Sequence, residues 1–106
     1  MRLNVTRAVI VCIAAAIAAP ALAQDSATDT YKTKCLMCHG ADGTANTPAG
    51  KAFKAASFKD PMVTTKSNEE LATIIKSGKD KMPSFKDKLT DDQIKALIAY
   101  IRTLSN

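Results

Sequence analysis

Two cysteines separated by two residues, followed at once by a histidine, carry the strongest chemical signal in this sequence: Cys35-Leu36-Met37-Cys38-His39. This is the spacing of covalent haem attachment. Each thiol adds to one haem vinyl group and forms a thioether. Two intervening residues let both sulfurs reach the same edge of the macrocycle. The adjacent histidine then falls beneath the iron as the proximal ligand. Other chemistries use the same residue types. A structural zinc site needs four ligands, and outside the leader described below only Cys35, Cys38 and His39 are of the usual soft types. A thioredoxin-like redox pair needs a βαβ setting, and no strand pattern is visible. A disulfide between Cys35 and Cys38 would close a tiny loop and leave His39 unexplained. Cys35 and Cys38 are therefore read as cofactor-binding residues and His39 as an iron ligand.

Iron has a second axial side. The chain has one histidine, so the remaining candidates are Met37, Met62 and Met82. Met37 lies inside the attachment loop and cannot reach across the ring. Met82 sits in Lys81-Met82-Pro83, where Pro83 restricts the residue before it to extended backbone and stiffens the loop. That suits a loop holding a thioether against iron, although a buried methionine also serves as plain core filling. Met62 follows Pro61 and remains a candidate.

The elements that must position these residues read as helices. The first is expected over roughly Ser26 to Met37, with Asp25 or Asp29 near its start. The second starts at Ser67, where Ser67 and Glu70 have capping-box spacing. Leu71, Ile74 and Ile75 share one face, and Gly78 is a natural stop. The third starts at Thr90 with Gln93 as a second capping box. Ile94, Leu97, Ile98, Ile101 and Leu104 give it a clear apolar stripe. Between the first two lies a long loop segment, His39 to Lys66, with a short helical stretch expected over Gly50 to Ala56. A loop of this length in a compact domain usually wraps a ligand or has a function.

The chain of 106 residues suits one small domain. Its start has the pattern of a secretory signal: Arg2 and Arg7, an apolar run from Ala8 to Ala19, then Ala21-Leu22-Ala23. Cleavage is expected between Ala23 and Gln24, giving a signal peptide over 1–23 and a mature domain over 24–106. The arginines are not adjacent, which indicates the general secretory route. The apolar run is shorter than the ~20 residues of a spanning helix. Cys12 lies within that run and leaves with it. Removing Arg2 and Arg7 from 15 basic and 10 acidic side chains leaves 13 against 10, a formal charge of +3 rather than +5. Such a balance names no partner by itself. The mature domain has no tryptophan, and its aromatic bulk comes from Phe53, Phe58, Phe85, Tyr31 and Tyr100. A domain this small often needs a ligand to complete its core, and a haem would supply that bulk.

The sequence resembles class I cytochrome c, among its small bacterial soluble members. The resemblance rests on Cys35-Leu36-Met37-Cys38-His39-Gly40, then Asp42-Gly43, then Gly78-Lys79-Asp80-Lys81-Met82-Pro83-Ser84-Phe85, and the ending Leu97-Ile98-Ala99-Tyr100-Ile101-Arg102. It covers nearly all of the mature chain. It implies an all-α, cytochrome c-like fold: three main helices and a short helical segment around one covalent haem c, the first and last helices crossing near Tyr31 and Tyr100. It implies Met82 as the distal ligand, and a carbonyl, placed at Pro48, bonded to the proximal histidine ring. Six-coordinate iron with both ligands retained suits a periplasmic carrier of single electrons. A haem enzyme or gas sensor would need an open or labile sixth site, and a stationary subunit of a larger redox complex is a further alternative. Redox partner proteins are expected at a haem edge surrounded by Lys76, Lys79, Lys81, Lys86 and Lys88. Neither a nucleic-acid partner nor membrane insertion of the mature chain is expected, and the protein is expected to be a monomer.

Overall fold

The computed structural model describes residues 10–11 and 19–106, so most of the expected signal peptide, 1–9 and 12–18, lies outside the described residues. Six helices follow one another: α1 Ala19–Lys34, α2 Leu36–His39, α3 Pro48–Ala52, α4 Pro61–Thr64, α5 Asn68–Ser77 and α6 Asp91–Leu104. Among the described residues no strand forms; an isolated bridge pairs Lys79 with Met82.

The two later helices have the ends their sequences dictate. Ser67 caps α5 by accepting the Glu70 N–H at 3.1 Å, and Gly78, at φ 76°, ends it. Thr90 and Gln93 form a complete capping box on α6, with bonds of 3.1 and 2.8 Å. The apolar stripe of α6 is buried at Ile94, Leu97, Ile98 and Ile101, and Leu71 and Ile75 of α5 join it. The first helix differs from expectation. It begins at Ala19 rather than Ser26 and ends at Lys34, one residue before the cysteines. A break at Cys35 then starts the separate turn α2. Asp29 therefore lies within α1 and caps nothing. The short helix expected over Gly50 to Ala56 lies instead over Pro48–Ala52, because Pro48 suits a first helical position and Thr47 caps it. Asp60 and Pro61 start α4 in the same way, where no helix was expected.

The first and last helices pack together, as the resemblance implies, and α5 packs on α6. Tyr31 and Tyr100 meet at the first of these junctions with ring centroids 5.1 Å apart. Buried Ala27 keeps α1 slim on its inner face. Arg102 ties the remaining segment to α6. Its guanidinium donates to Asn68 Oδ1 at 3.1 Å, to the Val63 carbonyl at 3.3 Å and to the Lys66 carbonyl at 2.6 Å. The α4–α5 connection is thus held by a side chain rather than by a ladder. Arg102→Ala is expected to cost about 1–3 kcal/mol, since it strips a charged donor from part-buried carbonyls. A lowered urea midpoint at unchanged slope checks this.

Candidate functional site

The break at Cys35 sets up the site. The Cys35 N–H closes the last turn of α1 on the Tyr31 carbonyl at 2.9 Å. The next turn then forms on Cys35 itself: the His39 N–H reaches its carbonyl at 2.9 Å. Positions i, i+3 and i+4 share one side of a helical turn. Cys35, Cys38 and His39 accordingly line one cleft, while Met37 points away and is 76% exposed. The two thiols are free, not joined in a disulfide. Among the described residues no three His, Cys, Asp or Glu side chains are arranged to chelate one ion. Burial pushes the Cys35 thiol up to about 11, with Lys34 opposing the shift.

The His39 ring is held on two sides. Its Nδ1 lies 3.0 Å from the Ala56 carbonyl. A carbonyl only accepts, so Nδ1 carries the proton and Nε2 keeps its lone pair free. Phe58 stacks on the ring at 4.7 Å and 25°. Burial lowers the His39 pKa, partly opposed by the Ala56 bond, which favours the neutral imidazole that a metal requires. The carbonyl expected from Pro48 therefore comes from Ala56. Pro48 opens α3 instead, and Lys54, at φ 55°, turns the chain so that Ala56 returns over His39.

Thr47 and Gly50 fasten this wall to the attachment turn. The Thr47 hydroxyl accepts the Gly50 N–H at 2.9 Å and donates to the Met37 carbonyl at 2.7 Å, with the Cys38 carbonyl at 3.1 Å. Gly50 sits so close that a Cβ there would lie 2.3 Å from the Cys38 carbonyl oxygen.

Met82 enters the cleft from a tight turn. Lys79 and Met82 exchange both backbone hydrogen bonds, at 3.1 and 2.9 Å, and Asp80 takes a left-handed φ of 54° between them. The turn is anchored on the end of α5. The Phe85 N–H bonds the Ile75 carbonyl at 3.0 Å, the Lys86 N–H bonds the Lys76 carbonyl at 3.2 Å, and the Ser84 hydroxyl also donates to Lys76. Gly78 leaves no room for a side chain, since its Cβ would lie 2.7 Å from the Met82 carbonyl oxygen. The cleft therefore gathers all four sequence-predicted residues, Cys35, Cys38, His39 and Met82. It also takes in Met62 from α4, which is 59% exposed.

The rest of the cleft fits a large flat apolar group. Its walls are core side chains, among them Val63, Leu71, Ile75, Phe85, Leu97 and Ile101. Two thiols stand at one place, with a neutral imidazole nitrogen and a thioether facing the same space. That donor set is the one a covalent haem uses.

The mouth is basic. Lys34, Lys54, Lys66, Lys79 and Lys81 line it, with Asp80 as the acidic exception. Of the lysines singled out in the sequence, only Lys79 and Lys81 are there. Lys76 pairs with Asp91 at 2.6 Å, and Lys88 lies over the Phe85 ring at 5.7 Å. Lys34, Lys54 and Lys66 come from three separate segments. Only Lys34, next to Cys35, had a signal in sequence.

Comparisons with known proteins agree with this geometry. The family described as cytochrome c oxidase, cbb3-type, subunit III matches residues 22–101. Cytochrome c6 of Nostoc sp. is 33% identical over 81% of this chain and 77% of its own length. Cytochrome c6 of Leptolyngbya boryana is 28% identical over 67% and 80%. The solved KustC0563 c-type cytochrome superposes with a TM-score of 0.68 at 32% identity, covering 76% of this chain and 98% of that one. The chain belongs to the cytochrome c family: it is a small class I c-type cytochrome, a carrier of electrons on covalently bound haem c rather than an enzyme.

Proposed function

We propose that the protein carries single electrons in the periplasm on one haem c, bound through Cys35 and Cys38 and ligated by His39 and Met82. The observation that carries this reading is the shared cleft: both thiols, a neutral imidazole with Nε2 free, and the Met82 loop all face it. When bound, the haem supplies a one-electron couple. The protein's part is to hold it. The Ala56 carbonyl and the Phe58 ring fix the plane and tautomer of His39. The Lys79–Met82 turn, anchored on α5, offers the thioether from a backbone with little freedom. Ligands that stay in place in both oxidation states keep reorganisation small, and a thioether ligand raises the potential. Apolar walls exclude water and act in the same direction.

The two methionines that line the cleft, Met62 and Met82, separate in a simple experiment. The purified holoprotein is expected to give a low-spin spectrum with the weak red band of methionine-bound ferric haem. Met82→Ala removes the band, lowers the potential and lets carbon monoxide bind the reduced protein. Met62→Ala keeps the band. The opposite pattern would assign Met62, and a high-spin wild type would mean an open iron.

The five lysines at the mouth support a docking edge for acidic redox proteins. Charges separated by more than a Debye length, ~8 Å at physiological salt, are largely screened. Bimolecular electron-transfer rates with an acidic partner are therefore expected to fall as salt rises, and less steeply in Lys79→Ala or Lys54→Ala; a flat response would remove the docking role. A monomer fits a carrier that exchanges partners at this edge. Among the described residues, no helix is long and apolar enough to cross a membrane. Export is read from the sequence of residues 1–23, and mass spectrometry of the secreted protein is expected to find Gln24 at its start.

A further inference from the structure

Gly43, Phe58 and Leu104 come from distant parts of the chain and meet beside the imidazole of His39. The Phe58 N–H bonds the Gly43 carbonyl at 2.8 Å. The Phe58 ring then lies against the glycine itself. A Cβ on Gly43 would stand 2.6 Å from Phe58 Cδ2 and 3.3 Å from Cε2, with Leu104 Cβ at 3.2 Å. The same phenyl ring stacks on His39 at 4.7 Å and 25°. Tyr31 meets it edge-on at 6.1 Å. Gly43 has φ 76°, and it is not among the residues that line the cleft.

A ring enclosed in this way has little room to retreat. Phe58 is buried, its backbone is tied to Gly43, and Tyr31 and His39 both pack on its ring. Interiors are close-packed, so a push on one side of such a ring is passed to its neighbours. The imidazole needs a second restraint. The Ala56 bond holds one of its atoms, Nδ1, and decides which nitrogen is free. Hydrogen bonds tolerate a range of angles, so this bond alone leaves the ring plane able to rock. A flat ring stacked on the imidazole removes that freedom. How far the phenyl ring presses on His39 depends on how close it comes to the backbone at position 43, and a side chain there would change that distance.

We propose that Gly43 is a positioning residue for the proximal ligand: it admits the Phe58 ring to the depth at which that ring fixes the imidazole plane of His39. Leu104, at the end of α6, closes the clamp from the far side of the chain. The proposal rests on the reading of His39 as the iron ligand. Gly43 acts only through Phe58, since it does not itself face the cleft. The consequence is electronic. The plane of an axial imidazole decides which iron d orbitals it overlaps, and therefore how the unpaired spin of the ferric state is distributed. Partners that orient a metal-bound histidine tune the metal in this way without touching it.

Electron paramagnetic resonance of the ferric holoprotein tests this, with thermal melting alongside. Any side chain at a positive φ costs stability, so a lower Tm alone says nothing about the clamp. Gly43→Ala is expected to shift the g values, because its Cβ drives the phenyl ring onto the imidazole. Phe58→Val removes the ring atoms that this Cβ would strike, and is expected to shift and broaden the g values. The double variant is expected to match Phe58→Val alone, since residues that act through one another do not add. Gly43→Ala with a lower Tm and wild-type g values overturns the proposal, as does a double variant whose shift is the sum of the two singles. If Gly43→Ala yields no holoprotein, the double variant decides. Recovery of holoprotein identifies the Phe58 ring as the obstacle, and failure to recover overturns the clamp. The absorption spectrum of the wild type reports ligation separately. A high-spin wild type overturns the ligation reading and the clamp with it, whereas a low-spin wild type with unmoved g values in the variants overturns the clamp alone.

Discussion

The hydrogen bond from His39 Nδ1 to the Ala56 carbonyl is the contact on which the site depends. It decides which imidazole nitrogen is free, and so which way the ring can serve iron. To deliver one carbonyl to one ring nitrogen, the whole segment after the attachment turn must be wound in a set way. Gly40 ends α2 with positive φ, Thr47 caps α3 while bonding back to the attachment turn, and Lys54 reverses the chain. None of these residues lies at the chemical centre, yet each constrains where Ala56 falls. The close approach of Gly50 to the Cys38 carbonyl is the tightest part of this arrangement.

Core and cofactor cleft are built from the same side chains. Phe58, Val63, Leu71, Ile75, Phe85, Leu97 and Ile101 belong to the buried cluster and also line the cleft. The domain therefore does not fold one core and then add a pocket. A ligand that binds only the folded form stabilises it, and here it would complete the apolar contacts of seven core residues at once. This fits a small chain with no tryptophan and few aromatics. By contrast, the single ion pair among the described residues, Lys76 with Asp91, is exposed and contributes little.

What could be read in the sequence was local. The capping box at Thr90, the stop at Gly78 and the α6 stripe are short-range patterns that the structure has, while at Ser67 only half of the expected box forms, the serine accepting the Glu70 N–H without a bond in return. The attachment turn is local too, since one helical turn sets its geometry. The Met82 loop was legible through Pro83 and Gly78, whose backbone preferences act within a few residues. The source of the carbonyl on His39 was not. It depends on the left-handed conformation of Lys54, a non-glycine residue with no sequence mark for it. Lys54 and Lys66 reach the cleft mouth only because α3 and the α4–α5 connection fold against it. Arg102, read as part of a closing motif, proved to be the tie that holds that connection. The extent of α1 was missed because its first residues, 19–23, fall inside the segment read as a signal peptide and have no apolar period to mark a helix.

The junction of α1 with α6 has a consequence for how the chain reaches this form. Tyr31 and Tyr100 stand near opposite ends of the domain, yet their rings touch. The attachment turn and the Met82 hairpin each close over a few residues, but the two halves of the cleft face one another only when the first and last helices have met. Closing so long a loop costs conformational entropy that grows slowly with length, about 0.6 kcal/mol per doubling. Contacts so distant in sequence are the kind that slow folding. The first and last helices thus form the latch, and the residues between them are the parcel it closes.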